Sequence, residues 1–273
     1  MDSQALRRSA AVKVPAITAY FWVTKVLTTG MGESTSDFLN QDLGPAIAVP
    51  LMLIVLGIAL RRQFRATRYE AWTYWLVVVM VSVFGTSAAD ALHVVIGIPY
   101  LYSTAFYLSV LAAIFAVWQK SEGTLSIHSI NTPRREFFYW ATVLATFALG
   151  TAAGDLTATT MHLGFFASGL MFAGWIAVPA IGFWWFGLNE IAAFWAAYIL
   201  TRPLGASFAD WGAVKKSNGG LALGTGPVSL GLAALIVLCV GYLAATGIDV
   251  RRESPAEPEL LAEPLQGGAV LFD

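Results

Sequence analysis

The sequence predicts an all-α polytopic membrane protein of eight transmembrane helices, arranged as four two-helix repeats of common orientation, with motif helices inside and plain helices outside. Three observations lead there. The chain is 57% hydrophobic and only 12% charged, with a mean hydropathy of +0.67, whereas a soluble domain carries about a quarter charged residues. Apolar runs such as 47–60, 163–186 and 228–245 are of the length that crosses or nearly crosses roughly 30 Å of hydrocarbon. A three-residue motif also recurs four times: Trp22, Gly32 and Asp37, then Trp75, Gly85 and Asp90, then Trp140, Gly150 and Asp155, then Trp195, Gly205 and Asp210, always at spacings of ten and five.

Ten Trp and eight Asp scattered over 273 positions would give less than one pair at a separation of fifteen, yet four occur. Every Asp inside an apolar segment belongs to the motif, which marks a duplicated unit. Each copy supplies a motif helix and then a plainer apolar one, giving helices over 16–40, 43–60, 71–93, 99–118, 137–158, 163–186, 189–211 and 224–246. The membrane domain is expected over 14–247, with repeats at about 14–69, 70–133, 134–188 and 189–247. Residues 1–13 form an N-terminal segment, and the Glu- and Pro-rich 248–273 a disordered tail. The apolar stretch after Arg7, Arg8 and Lys13 is too long, and too polar in its second half, for a cleaved signal peptide, so the first span is expected to be retained.

Basic residues set the orientation. Arg7, Arg8, Lys13, Arg61, Arg62, Arg65, Arg68, Lys120, Arg134, Arg135, Arg251 and Arg252 fall on the side of the N-terminus, against Lys215 and Lys216 opposite. Both termini are therefore expected in the cytoplasm of a bacterial inner membrane. Two spans per copy give all copies one orientation, with a symmetry axis along the membrane normal.

Helical spacing lines Lys25, Thr29, Gly32, Glu33, Ser36 and Asp37 along one stripe of the first motif helix, and a stripe this polar cannot face lipid. The equivalent helices carry Ser82, Thr86, Asp90 and His93; Thr151, Asp155 and Thr159; and Arg202, Ser207 and Asp210. The second helix of each copy is almost free of polar side chains, so an inner ring of four motif helices wrapped by four lipid-facing ones is the economical arrangement. Gly32 with Ser36, Gly85 with Ala89, Gly150 with Gly154 and Gly205 with Ala209 place small residues one turn apart, as close helix packing requires. The motif Trp fits an interfacial belt or packing, or an aromatic cage for an organic cation.

Fifteen residues of helix span about 22 Å, which puts each Asp near the periplasmic end of its span. There it either caps a segment and meets water, or joins its counterparts in a cation or proton site, since ionisable groups inside membranes are costly and mark pathways. Departures from four-fold equivalence favour a site. Glu33 adds a second carboxylate one turn before Asp37, while the other copies have Thr86, Thr151 and Ala206 there; Lys25 and Arg202 are each unique to their repeat. The expected ion ligands are Asp37, Glu33, Asp90, Asp155 and Asp210, with Lys25 and Arg202 as charge partners and with Asp37, Glu33, Asp155 and Asp210 as candidate metal ligands. Such a cavity is net negative, and its hard oxygens suit protons, alkali ions or divalent ions such as magnesium or manganese. His93 and His162 stand near helix ends as proton relays or as solvated side chains.

A single cysteine, Cys239 in an apolar run, excludes an internal disulfide and a thiolate cluster. The net charge of −1 points to no nucleic-acid partner. No zinc motif, Ser-His-Asp order or phosphate loop is present, and Gly224 and Gly226 with Pro227 lack the spacing of a nucleotide fingerprint. Neither enzymatic activity nor a cofactor is expected.

The stretches FWVTKVLTTGMGESTSDF, TPRREFFYWATVLATFALGTAAGDLTA and AFWAAYILTRPLGASFADW resemble a bacterial membrane family of four tandem two-helix repeats of unknown function, whose members are often labelled membrane-anchored proteins. The resemblance runs from about 14 to 247 and is loosest in the second copy. It implies the fold and brings no biochemistry. The residues themselves favour a small secondary transporter or exporter of a cation, proton-coupled or metal-directed, whose partners are the lipid bilayer and the ion. The alternative is a non-transporting membrane scaffold or regulatory anchor whose acidic tail recruits a cytosolic protein.

Overall fold

A computed structural model describes residues 12–91, 93 and 96–250. The expected N-terminal segment up to residue 11, and the tail from residue 251, lie outside the described residues. Among those described there are eight long helices and no strand: α1 Ala19–Leu43, α2 Pro45–Arg65, α3 Ala71–Asp90, α4 Tyr100–Glu122, α5 Pro133–Asp155, α6 Phe165–Phe186, α7 Glu190–Ala213 and α8 Thr225–Thr246.

Local sequence sets these boundaries. The Thr18 hydroxyl accepts from the Phe21 amide at the start of α1. Thr132 followed by Pro133 opens α5, and the Asn189 side chain accepts from the Ile191 and Ala192 amides at the start of α7. Each supplies an acceptor or removes a donor where the first turn has amides without partners. Gly187 and Gly247 end α6 and α8 in the left-handed region that glycine tolerates. In the second and third repeats the helix widens directly after the motif Asp. α5 continues as a π-helical turn over Leu156–Thr160, and Ala91 and His93 after Asp90 are also π-helical.

Six helices are long and apolar enough to cross a membrane: α2, α3, α4, α5 with its π turn, α6 and α8. α1 and α7 are as long, with 25 and 24 residues, but carry Lys25, Glu33 and Asp37, and Glu190, Arg202 and Asp210. Burial separates the six. The apolar windows of α3 and α5 are 72% buried inside the protein, those of α2, α4 and α6 22%, and that of α8 17%.

Three packing rules, each running from one repeat to the next and from the fourth back to the first, organise the molecule. The motif helices contact each other in a closed cycle, α1 with α3, α3 with α5, α5 with α7 and α7 with α1. The second helix of each repeat packs chiefly on the motif helix of the following repeat: α2 on α3, α4 on α5, α6 on α7 and α8 on α1. At each contact of the cycle the motif Gly receives the side chain that stands seven residues after the next Trp. Gly32 faces Ser82, Gly85 faces Phe147, Gly150 faces Arg202, and Gly205 faces Thr29. A Cβ on Gly85 would lie 2.8 Å from Cβ of Phe147, and one on Gly205 2.8 Å from the Val26 carbonyl oxygen. Removing the Cβ is what lets these helices approach.

The third rule explains the motif Trp. The aromatic residue before each Trp meets the Trp of the next repeat: Phe21 with Trp75 at 5.7 Å, Tyr74 with Trp140 at 5.5 Å, Tyr139 with Trp195 at 6.2 Å and Phe194 with Trp22 at 5.7 Å between ring centroids. Trp75, Trp140 and Trp195 are buried and Trp22 partly so. The eight rings form a collar at the end where α1 begins, so their burial is against each other rather than in an outward-facing belt. The four pairs are tilted, with ring planes 46–52° apart, and aromatic contacts at such distances add about 0.5–1.5 kcal/mol each beyond area burial.

Candidate functional site: a layered polar axis

Beyond the collar, the side chains that face the centre of the cycle form successive layers. The first, three residues after each Trp, contains Lys25, Val78, Val143 and Tyr198, all at most 1% exposed. The Lys25 ammonium lies over the rings of Phe147 and Tyr198, 4.1 and 4.2 Å from their centroids, and its Nζ has no hydrogen-bond partner. A desolvated cation–π contact returns about 2 kcal/mol, while taking an ammonium out of water costs several kcal/mol. The rings therefore offset only part of the burial. Lys25 meets no carboxylate among the described residues, in contrast to the charge partnership expected from the sequence.

One turn on, Arg202 is fully buried. Its Nη2 donates to Oε2 of Glu33 at 2.5 Å, to Oγ1 of Thr151 at 2.6 Å and to Oγ1 of Thr86, and its Nη1 donates to the Thr29 carbonyl at 3.1 Å. Both threonine hydroxyls in turn donate to Oε2 of Glu33, at 3.3 Å. Glu33, Thr86 and Thr151 hold the same position in repeats one, two and three, eleven residues after the Trp. The fourth equivalent, Ala206, has no polar side-chain atom; its repeat supplies Arg202 one turn earlier. Four repeats thus close one hydrogen-bonded ion pair at the centre. Nε of Arg202 is left without a partner.

The motif Asp residues stand one turn further, at the end opposite the collar. Carboxyl oxygens of Glu33, Asp37 and Asp210 lie within 4.8 Å of one another. Asp90 and Asp155 hold the same position in their repeats, fifteen residues after the Trp. Asp210 is 8% exposed, and Asp37, Asp90 and Asp155 are partly buried. Among the described residues no Lys, Arg or His forms an ion pair with any of the four. Three carboxylates at this spacing offer the oxygen ligands of a hard cation.

Four segments, 20–69, 73–124, 138–188 and 193–249, match the Repeat of Unknown Function (DUF347). The chain belongs to this family. No curated protein and no solved structure matches it.

The DUF347 units coincide with the sequence repeats, since each matched segment begins within three residues of a motif Trp and carries that copy's Gly and Asp. Of the residues singled out from sequence, Glu33, Asp37, Asp90, Asp155, Asp210 and Arg202 come together, with Thr86 and Thr151 added. The histidines do not join them. Nδ1 of His93 bonds to the Ile98 carbonyl at 2.9 Å and its ring stacks on Tyr100; His162 is exposed, with φ of 57°; His128 pairs with Glu190 at 3.0 Å.

Sequence reasoning missed the ties at the collar end. Nζ of Lys13, just before α1, donates to Glu136 on α5 at 2.8 Å and to the Phe64 carbonyl at 3.1 Å, and Gln63 on α2 donates to the other Glu136 oxygen at 3.0 Å. Tyr69, before α3, donates to Asp249 beyond α8. Both ties reach across the cycle, and the Tyr74 and Tyr139 hydroxyls meet at 2.5 Å between them. Burial raises the pKa of Asp249 above the ordinary carboxylate value, and burial followed by the hydrogen bond to Asp249 raises that of Tyr69. The available signal was Glu136, an acid in the first turn of a motif helix that is 1% exposed once folded.

Proposed function

We propose that the protein is a secondary transporter of a cation in the bacterial inner membrane, spanning it eight times, with α1, α3, α5 and α7 inside, the other four helices toward lipid and both termini cytoplasmic. The polar stripes of α1 and α7 face the centre of the cycle in this reading, which is how two helices too polar for lipid contact cross the membrane. Basic residues at the collar end support the orientation.

One observation carries the transport reading. Each repeat delivers one Asp to the same end of the axis, where the four carboxylates have no basic partner among the described residues, while the opposite end is closed by the aromatic collar and tied by Lys13–Glu136 and Tyr69–Asp249. A capping Asp would accept from the amides at the start of the following helix, and α2, α4, α6 and α8 have no side-chain cap. These four instead gather beside an acid whose own charge is already matched by Arg202. The arrangement supports a negatively charged vestibule open to the periplasm, with the Arg202–Glu33 pair as its floor and the collar as the closed cytoplasmic gate. Alternating access then requires the collar and its ties to open.

Flux into proteoliposomes, measured for protons, alkali ions, magnesium and manganese, tests this. Asp37→Asn and Asp155→Asn are expected to abolish flux of the transported ion without loss of folded protein. Unchanged flux in both variants would sink the assignment, and a scaffold would show a stability change alone.

A further inference from the structure

The carboxylate end accounts for Glu33 and the four Asp, but not for the donors deeper in the axis. Lys25 is 1% exposed with no partner for its three N–H bonds, Arg202 is 0% exposed with Nε unpaired, and Ser82 is 0% exposed with its hydroxyl oxygen unpaired. Buried polar groups of a folded protein are nearly always bonded, so these three, in two adjacent layers that also hold the unpaired Tyr198 hydroxyl, call for a common acceptor. Two of them share a neighbour and the third shares a layer with one of them. Nζ of Lys25 is 4.1 Å and Cζ of Arg202 5.3 Å from the centroid of the same Phe147 ring, and Ser82 occupies the layer of Phe147 and Arg202, seven residues after its Trp.

Charge makes the same demand. Two buried cations stand here against one acid, Glu33, and Arg202 already holds it at 2.5 Å. Asp37 lies twelve residues along α1 from Lys25, about 18 Å of helix, too far to serve as the counter-charge of a fully buried ammonium. The ring faces attract the ammonium but carry no net negative charge.

We propose that a small monovalent anion, a halide such as chloride, binds between Lys25 and Arg202 beside Ser82. It accepts from Nζ, Nε and the serine hydroxyl and completes charge balance in the dry part of the axis. The site shares Arg202 with the Glu33 pair but includes none of the four Asp, and it does not depend on the transport reading. It is assembled from repeats one, two and four, and Lys25 and Arg202 are each unique to their repeat.

Binding of radioactive chloride to the purified full-length protein in detergent tests the proposal, with ionic strength held constant by methanesulfonate. The expected result is one saturable site per chain that bromide displaces, lost in Lys25→Met, weakened about tenfold in Ser82→Ala as loss of one hydrogen bond implies, and retained in Asp37→Asn. Absence of saturable binding to the wild type, or its survival in Lys25→Met, overturns the proposal. Crystals soaked in bromide give a reading that needs no variant: an anomalous peak within about 3.5 Å of Nζ of Lys25, the reach of a direct hydrogen bond to a large anion, is expected, and a peak elsewhere or none refutes the site.

Discussion

Replacing Glu33 by Gln keeps the shape of the side chain and removes its charge, which leaves the Arg202 guanidinium fully buried without its hydrogen-bonded carboxylate. Breaking a buried pair by removing one partner costs about 3–5 kcal/mol. The Gln carbonyl still accepts one N–H from Arg202, recovering about 1 kcal/mol, so the net loss is about 2–4 kcal/mol. For a chain of this size that lowers Tm by roughly 10 °C. Arg202→Met costs about 3 kcal/mol, because Glu33 is then left to the Thr86 and Thr151 hydroxyls alone. The double variant Glu33→Gln/Arg202→Met buries no charge at this level and is expected within about 1 kcal/mol of the wild type, since apolar replacement of a buried pair is often neutral. The coupling across the cycle, the two single losses less that of the double variant, is thus at least about 4 kcal/mol. Thermal unfolding in detergent at one fixed scan rate ranks the four proteins by midpoint, as suits a transition that is not reversible. Glu33→Gln within 1 °C of wild type, roughly a third of a kcal/mol, or a double variant as poor as the sum of the single ones, would refute the reasoning.

Other perturbations test the packing and the collar end. Gly205→Ala drives a methyl toward the Val26 carbonyl oxygen and the Gly30 amide nitrogen, at 2.8 and 2.9 Å, so α1 and α7 must separate, at about 1–3 kcal/mol; Gly231→Ala meets nothing within 4 Å and should gain up to about 1 kcal/mol, and equal midpoints for the two would contradict the close-approach argument. Glu136→Gln removes the charge that the Lys13 ammonium faces and leaves one acceptor oxygen where Lys13 and Gln63 now use two, and a loss of about 2–4 kcal/mol is expected; no measurable drop in midpoint would mean the tie is not formed. Asp249 has a raised pKa when folded, so its favourable contribution is present below the unfolded carboxylate value and is lost as pH rises through the folded one. The wild-type midpoint measured against Asp249→Asn should therefore fall from about pH 4 towards neutrality, and a constant difference would show that Asp249 is not buried as described.

Element boundaries were largely readable because their determinants are local. The expected helices over 71–93, 163–186 and 224–246 compare with Ala71–Asp90, Phe165–Phe186 and Thr225–Thr246, the first ending early where the backbone becomes π-helical after Asp90. The fifth helix begins at Pro133 rather than 137, because the Thr132 cap and Pro133 start the helix while Arg134 to Glu136 are still polar. The Trp was read from its distance to the helix start, which allows either a lipid-facing belt or packing. Which of these occurs depends on the neighbouring repeat, whose Phe21, Tyr74, Tyr139 or Phe194 covers it.

The site divides in the same way. Glu33, Lys25 and Arg202 stood out as breaks in a four-fold pattern, and helical spacing put them with the Asp residues on one stripe. Their partners could not be read from spacing, because whether a buried cation meets a carboxylate or an aromatic face depends on the relative rotation and height of neighbouring helices. Arg202 reaches Glu33, Thr86 and Thr151 since its root sits on Gly150, while Lys25, one layer nearer the collar, meets Phe147 and Tyr198. By itself the sequence determined that one unit of Trp, Gly and Asp is repeated four times and which helices it builds, because periodicity and capping act within a segment. Only the tertiary structure decided that each unit is completed by the next one around the cycle, because a Gly without its neighbour's side chain, or a Trp without its neighbour's ring, has nothing to pack against.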